Sequence, residues 1–108
     1  MILVHPATEE AEPSVLLEGE LTIYTVAEAK EALEAALEGR AALRLNLSRV
    51  DELDTAGVQL LTWLKLTAEN AGQGLTFHAH SPEVVEVFDL LKVAGQFGDP
   101  ILLAPAGR

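Results

Sequence analysis

Apolar and polar positions follow two different rhythms along this chain. Leu43, Leu45 and Leu47 alternate with Arg44, Asn46 and Ser48, a period of two that predicts a strand with one buried face. From Gly57 onward the apolar positions shift to Leu60, Leu61, Leu64, Ala68 and Ala71, the 3.6-residue period of a helix that closes near Gly72. The polar stretch Ser48 to Leu53 reads as a short crossing between the two. Asp54 then falls where the helix needs an N-cap to accept a backbone N–H that has no intrahelical partner. Thr55 takes the first helical position, with its hydroxyl exposed on a rigid turn.

The same rhythms recur on either side. Ile2 to Val4 and Ser14 to Leu17 are expected strands, separated by the acidic segment from Pro6 to Pro13, and Gly19 marks a bulge or turn before Leu21 to Tyr24. Thr25-Val26-Ala27-Glu28 has the form of a capping box. It opens a helix with the stripe Val26, Ala29, Leu33, Ala36 and Leu37, running to Gly39. Leu75, Phe77 and Ala79 alternate with Thr76, His78 and His80 as another strand. Ser81-Pro82-Glu83 starts a last helix, with serine at the cap, proline in the first turn and an acid near the positive end of the dipole. Its stripe is Val84, Val87, Phe88 and Leu91, closing near Gly95, and Ile101 to Leu103 is an expected edge strand. A β-β-α-β-α-β-α order with short connections predicts an α/β fold in one domain over residues 1–108, a mixed β-sheet with helices packed against it.

Composition narrows what such a domain can do. The chain has 108 residues and no cysteine, which excludes disulfides, thiolate catalysis and sulfur-ligated metal. Seventeen acids against seven Lys and Arg give a net charge of −10, the wrong sign for nucleic acid or for an anionic membrane surface. No apolar run approaches the length of a transmembrane helix and the first residues do not have the form of a signal peptide, so a soluble cytoplasmic protein is expected. Neither a Ser/His/Asp set nor a pair of carboxylates stands out, so no enzymatic activity and no cofactor are expected. His78 and His80, at i and i+2 on one strand face, have a spacing that can ligate metal, but no third ligand has local spacing and none is expected to bind. Glu28, Glu31, Glu34 and Glu38 form a solvated helix face. Gly72-Gln73-Gly74 closes a helix and is too short for a phosphate loop.

Positive signals lie on the second helix. With Leu61, Leu64 and Ala68 facing the core, Gln59, Trp63, Leu66 and Asn70 fall on the other side. The only tryptophan of the chain there is an anchor for a partner, or is tucked beneath a neighbouring loop, or belongs to a helix more buried than one stripe suggests. Asp54 and Thr55 have a bland reading too, as an N-cap and a good helix-start residue.

Four segments, Gly19-Glu20-Leu21, Leu45-Asn46-Leu47-Ser48-Arg49-Val50, Asp54-Thr55-Ala56-Gly57 and Ser81-Pro82-Glu83-Val84, resemble in order and spacing the STAS domain of sulfate transporters and anti-sigma factor antagonists. The resemblance spans about residues 14–103. It implies a protein-interaction switch without catalysis, docking a partner protein such as an anti-sigma factor with serine-kinase activity. It implies phosphorylation of Thr55 by that partner, and partner contacts from the turn Asp54, Thr55, Ala56 and Gly57 with Thr22 beside it, to which the helix stripe adds Gln59 and Trp63. Thr22 stands where many antagonists carry an aspartate, and Asn46 where an acid is common. Asp-Thr-x-Gly also resembles the STAS subunit of the bacterial lipid-asymmetry transporter, where the threonine docks an ATPase. A nucleotide-binding or enzymatic STAS variant is the third reading.

Overall fold

The computed structural model describes residues 1–8 and 12–91. Along the chain run β1 (Ile2–Val4), β2 (Ser14–Leu21), α1 (Val26–Leu37), β3 (Ala42–Leu53), α2 (Thr55–Asn70), β4 (Gly74–His78) and α3 (Pro82–Leu91), the order the periodicity predicts. The strands form one mixed sheet, β1-β2-β3-β4, in which β1 is antiparallel to β2 and the other two pairings are parallel. The crossovers through α1 and α2 step the same way across the sheet. Right-handed connections of that kind place both helices on one face, where α1 packs on β1 and β2 and α2 on β3 and β4.

That face is the core. Val15, Leu17, Leu43, Leu45, Leu47, Leu75 and Phe77 point into it and meet Ala29, Leu33 and Leu37 of α1 and Leu61, Leu64 and Ala68 of α2. Each large side chain buried there contributes about 1.5–3 kcal/mol. The opposite face carries Ser14, Leu16, Glu18, Arg44, Asn46, Ser48 and His78, none of them fully buried.

Several local features differ from the sequence reading. The stretch from Ser48 to Leu53 is no crossing but the second half of β3. Opposite Leu16 and Glu18, β3 places Asn46 and Arg49, and opposite Gly19 and Glu20 it places Val50 and Glu52, so one extra residue is inserted twice. Each insertion moves the side-chain alternation by one position. Buried positions therefore run Leu47, Val50, Leu53, a spacing of three that no strand template matches. β2 likewise continues through Gly19 to Leu21, and residues 22–25 form a turn instead of a strand. Gly19 is required there: its φ is +112°, and a Cβ would lie 2.3 Å from the Met1 carbonyl oxygen.

Thr25 precedes α1, but the expected capping box does not form. Its hydroxyl points back into the turn, accepting the Thr22 N–H at 2.9 Å and donating to the Glu20 carbonyl at 2.8 Å, while Glu28 stays exposed. Burial of Thr25 against the end of β2 draws the hydroxyl away from the helix. Ser81 behaves as predicted and does more. Its Oγ accepts the Val84 N–H at 3.2 Å and donates to the Val50 carbonyl at 2.6 Å, fastening α3 to β3 beside the inserted residues. The expected helix end near Gly95 and edge strand at Ile101 to Leu103 lie outside the described residues.

Candidate functional site

Asp54 organises the end of the sheet where β2 and β3 run out. Its Oδ1 accepts the Gly57 N–H at 2.9 Å, the N-cap bond the sequence predicts. Its Oδ2 accepts the Ile23 N–H at 2.9 Å, and its own N–H donates to the Leu21 carbonyl at 3.4 Å. One carboxylate therefore ties the turn before α1 to the start of α2. The sequence signals only the first of these bonds, because the second joins residues 31 apart.

Around Asp54 the predicted residues separate into surface and scaffold. Thr55 is exposed at the first position of α2, and among the described residues its hydroxyl makes no hydrogen bond. Ala56 is half-buried and Gln59 exposed one turn on. Gly57 is buried because the chain end of β2 crosses it: a Cβ would lie 2.2 Å from the Leu21 carbonyl oxygen and 2.6 Å from Leu53 Cδ1. Thr22 is buried as well, and its hydroxyl accepts the Tyr24 N–H at 3.3 Å. These two shape the turn from beneath.

Among the described residues no loop covers Trp63. It is 37% exposed, with the Lys30 ammonium of α1 4.5 Å from its ring centre, a cation–π contact between the helices. Leu66 is 56% exposed on the same stripe. Thr55, Val58, Gln59, Thr62, Trp63 and Leu66 line a shallow, mostly apolar groove of about 470 Å³ to which Leu91 of α3 adds the last wall. At the Asp54 end the surface continues outside the groove in Ile23 and Tyr24, 62% and 92% exposed. Sequence reading missed both, since two apolar residues after a strand look like more strand.

The sheet face opposite α1 and α2 holds a second polar cluster that the sequence did not signal. His78 Nε2 lies 3.1 Å from Ser14 Oγ, and Nδ1 lies 3.3 Å from an Arg44 guanidinium nitrogen. A Ser–His contact invites a catalytic reading, but Arg44 can only donate, so Nδ1 must accept and Nε2 carries the proton. That tautomer donates to Ser14 and cannot act as its base. Burial first, then the charges of Arg44 and His80, hold the His78 pKa below its ordinary value of 6.5. His78 and His80 do not share a face as predicted. Ala79 between them has φ 55°, which ends the strand, and His80 is buried edge-on against Phe88, 5.7 Å between ring centres. Among the described residues no group of three or more metal-binding side chains gathers, and no helix is long and apolar enough to cross a membrane.

Comparison with known proteins places this geometry. The family model described as Mlab, STAS domain matches residues 4–104. The fold is that of an anti-sigma factor antagonist from Mycobacterium paratuberculosis, with a TM-score of 0.76 over 94% of this chain and 86% of that one, at 21% identity. It is also that of the anti-sigma factor antagonist SpoIIAA in its unphosphorylated form, with a TM-score of 0.66 over 98% of this chain and 90% of that one, at 20% identity. No curated protein sequence matches the chain.

Proposed function

The chain belongs to the STAS domain family, and we propose that it is a non-enzymatic, cytoplasmic interaction switch of the anti-sigma factor antagonist type, docking a partner protein through the start of α2 and released by phosphorylation of Thr55. The carrying observation is the exposed Thr55 hydroxyl beside an N-cap that Asp54 already supplies, so modification costs the fold no hydrogen bond. A phosphate there adds about −1.5 to −2 charge at the positive end of a helix, which favours it by about 0.3–1 kcal/mol. Exposed Asp51 and Glu52 offset part of that gain. A partner pressed onto the turn would have to desolvate the dianion, at several kcal/mol unless it supplies a cation. The modification therefore spares the fold and breaks the complex.

An alternative, a regulatory subunit of an ABC-type lipid-asymmetry transporter docking its ATPase through the same turn, draws on the Asp54-Thr55-Ala56-Gly57 sequence and on the family description. One substitution separates the two. As a phospho-acceptor, Thr55→Ala binds its partner as well as wild type and resists release by ATP. As a docking residue, the same change removes a methyl and a hydrogen bond from a packed contact and weakens binding by about 1 kcal/mol or more. Retained binding with phosphothreonine found by mass spectrometry in the wild type is the expected result. Weakened binding with no phosphothreonine would move the assignment to the transporter subunit.

A further inference from the structure

The groove on α2 has its own chemistry. Thr55, Gln59, Thr62, Trp63 and Leu66 follow one another on one stripe of the helix, over about 16 Å at 1.5 Å per residue. A ridge of this length matches the i, i+3, i+4, i+7 anchors of a helix laid alongside. Ile23 and Tyr24 extend the surface past its Thr55 end, where the Asp54 carboxylate holds the Ile23 N–H and the Thr22 hydroxyl holds that of Tyr24.

Charge selects the occupant. Glu69, three residues beyond Leu66 on α2, is an exposed acid at the far end of the groove, and the Lys30 ammonium sits over the Trp63 ring. The chain as a whole carries −10, which repels a second copy, an acidic helix and an anionic lipid surface alike.

We propose that the Trp63–Leu66 groove, extended by Ile23 and Tyr24, receives an amphipathic helix of a partner protein whose polar face is basic. The assignment rests on the reading of the Thr55 turn as a docking site, and it names the chemistry of what docks. Leucine-like anchors fill the groove between α2 and Leu91. Lysines or arginines on the flanks of that helix meet Glu69 and the net negative charge of the chain.

Trp63 is the sole tryptophan, so its fluorescence reads the groove directly. The probe is a short synthetic helix with leucine on one face and lysine on the other. Its controls are a Leu/Glu helix of the same pattern and a scrambled Leu/Lys peptide with no apolar face. The expected result is a blue shift of Trp63 emission with the Leu/Lys helix alone. Leu66→Asp and Tyr24→Ser, shown to be folded by circular dichroism, should each weaken its binding, by about tenfold for Leu66→Asp. Equal response to the scrambled or acidic peptide, or unchanged binding by Leu66→Asp, overturns the proposal. So does a dimer in sedimentation velocity that Leu66→Asp disrupts, since a second copy would then be the occupant. Thr55→Glu separates this proposal from the switch. If Leu66→Asp loses the helix while Thr55→Glu binds it as wild type does, the groove stands and Thr55 is not its gate.

Discussion

Asp54 and Gly57 show how much one residue can carry at this site. A plain N-cap replaced by alanine costs about 0.5–2 kcal/mol. Asp54 also holds the Ile23 N–H, so Asp54→Ala should fall at the upper end of that range or beyond it, measured by urea denaturation. Asp54→Asn keeps one acceptor oxygen and should cost less than Asp54→Ala. At Gly57 the constraint is steric. Because a Cβ there meets the backbone oxygen of Leu21, which cannot swing aside as a side chain can, Gly57→Ala should destabilise by about 1–3 kcal/mol. A neutral result by the same measurement would mean that α2 can lift off the end of β2.

At the scale of elements, β3 and α3 depend on each other. The two inserted residues of β3 turn its far half so that Val50 and Leu53 face the core while Asp51 and Glu52 stay outside. Ser81 spans the join, with its hydroxyl bonded both to the strand and to the helix it caps. Ser81→Ala removes the cap and leaves the Val50 carbonyl without this donor, so a loss of about 1.5–3 kcal/mol is expected in thermal or chemical denaturation. Faster amide exchange should appear in α3 before it appears in α1, because the lost bonds fasten α3 alone.

For the molecule as a whole, the sheet face opposite α1 and α2 sets a pH dependence. His78 bridges Ser14 on β2 and Arg44 on β3 in its neutral form. Its folded pKa is lowered from 6.5, so below that pH the unfolded chain binds more protons than the folded one. Stability contributed by His78 is present above pH 6.5 and is lost as pH falls from 6.5 through the lower folded value. Urea midpoints at pH 7.5 and 5.5 should therefore drop more for wild type than for His78→Gln. Equal drops would show that the imidazole titrates alike in both states.

Leucines at every second position, a cap at Asp54 and another at Ser81 made the element order, the sheet class and the exposure of Thr55 legible from the chain alone. Those features are local: each depends on residues within one or two turns, where spacing and side-chain chemistry decide conformation. Other features came only with the tertiary structure. The strand through Ser48 to Leu53 was hidden because its phase is set by insertions relative to β2, not by its own sequence. The Thr25 hydroxyl chose the β2 carbonyl over its helix only once the turn was buried. The Ile23–Asp54 bond, the Ser14–His78 contact across 64 residues and the wall that Leu91 gives the groove all join groups that the chain itself keeps far apart. Periodicity records which way a residue faces. Which residue it then faces is set by packing, and this surface is made of such meetings.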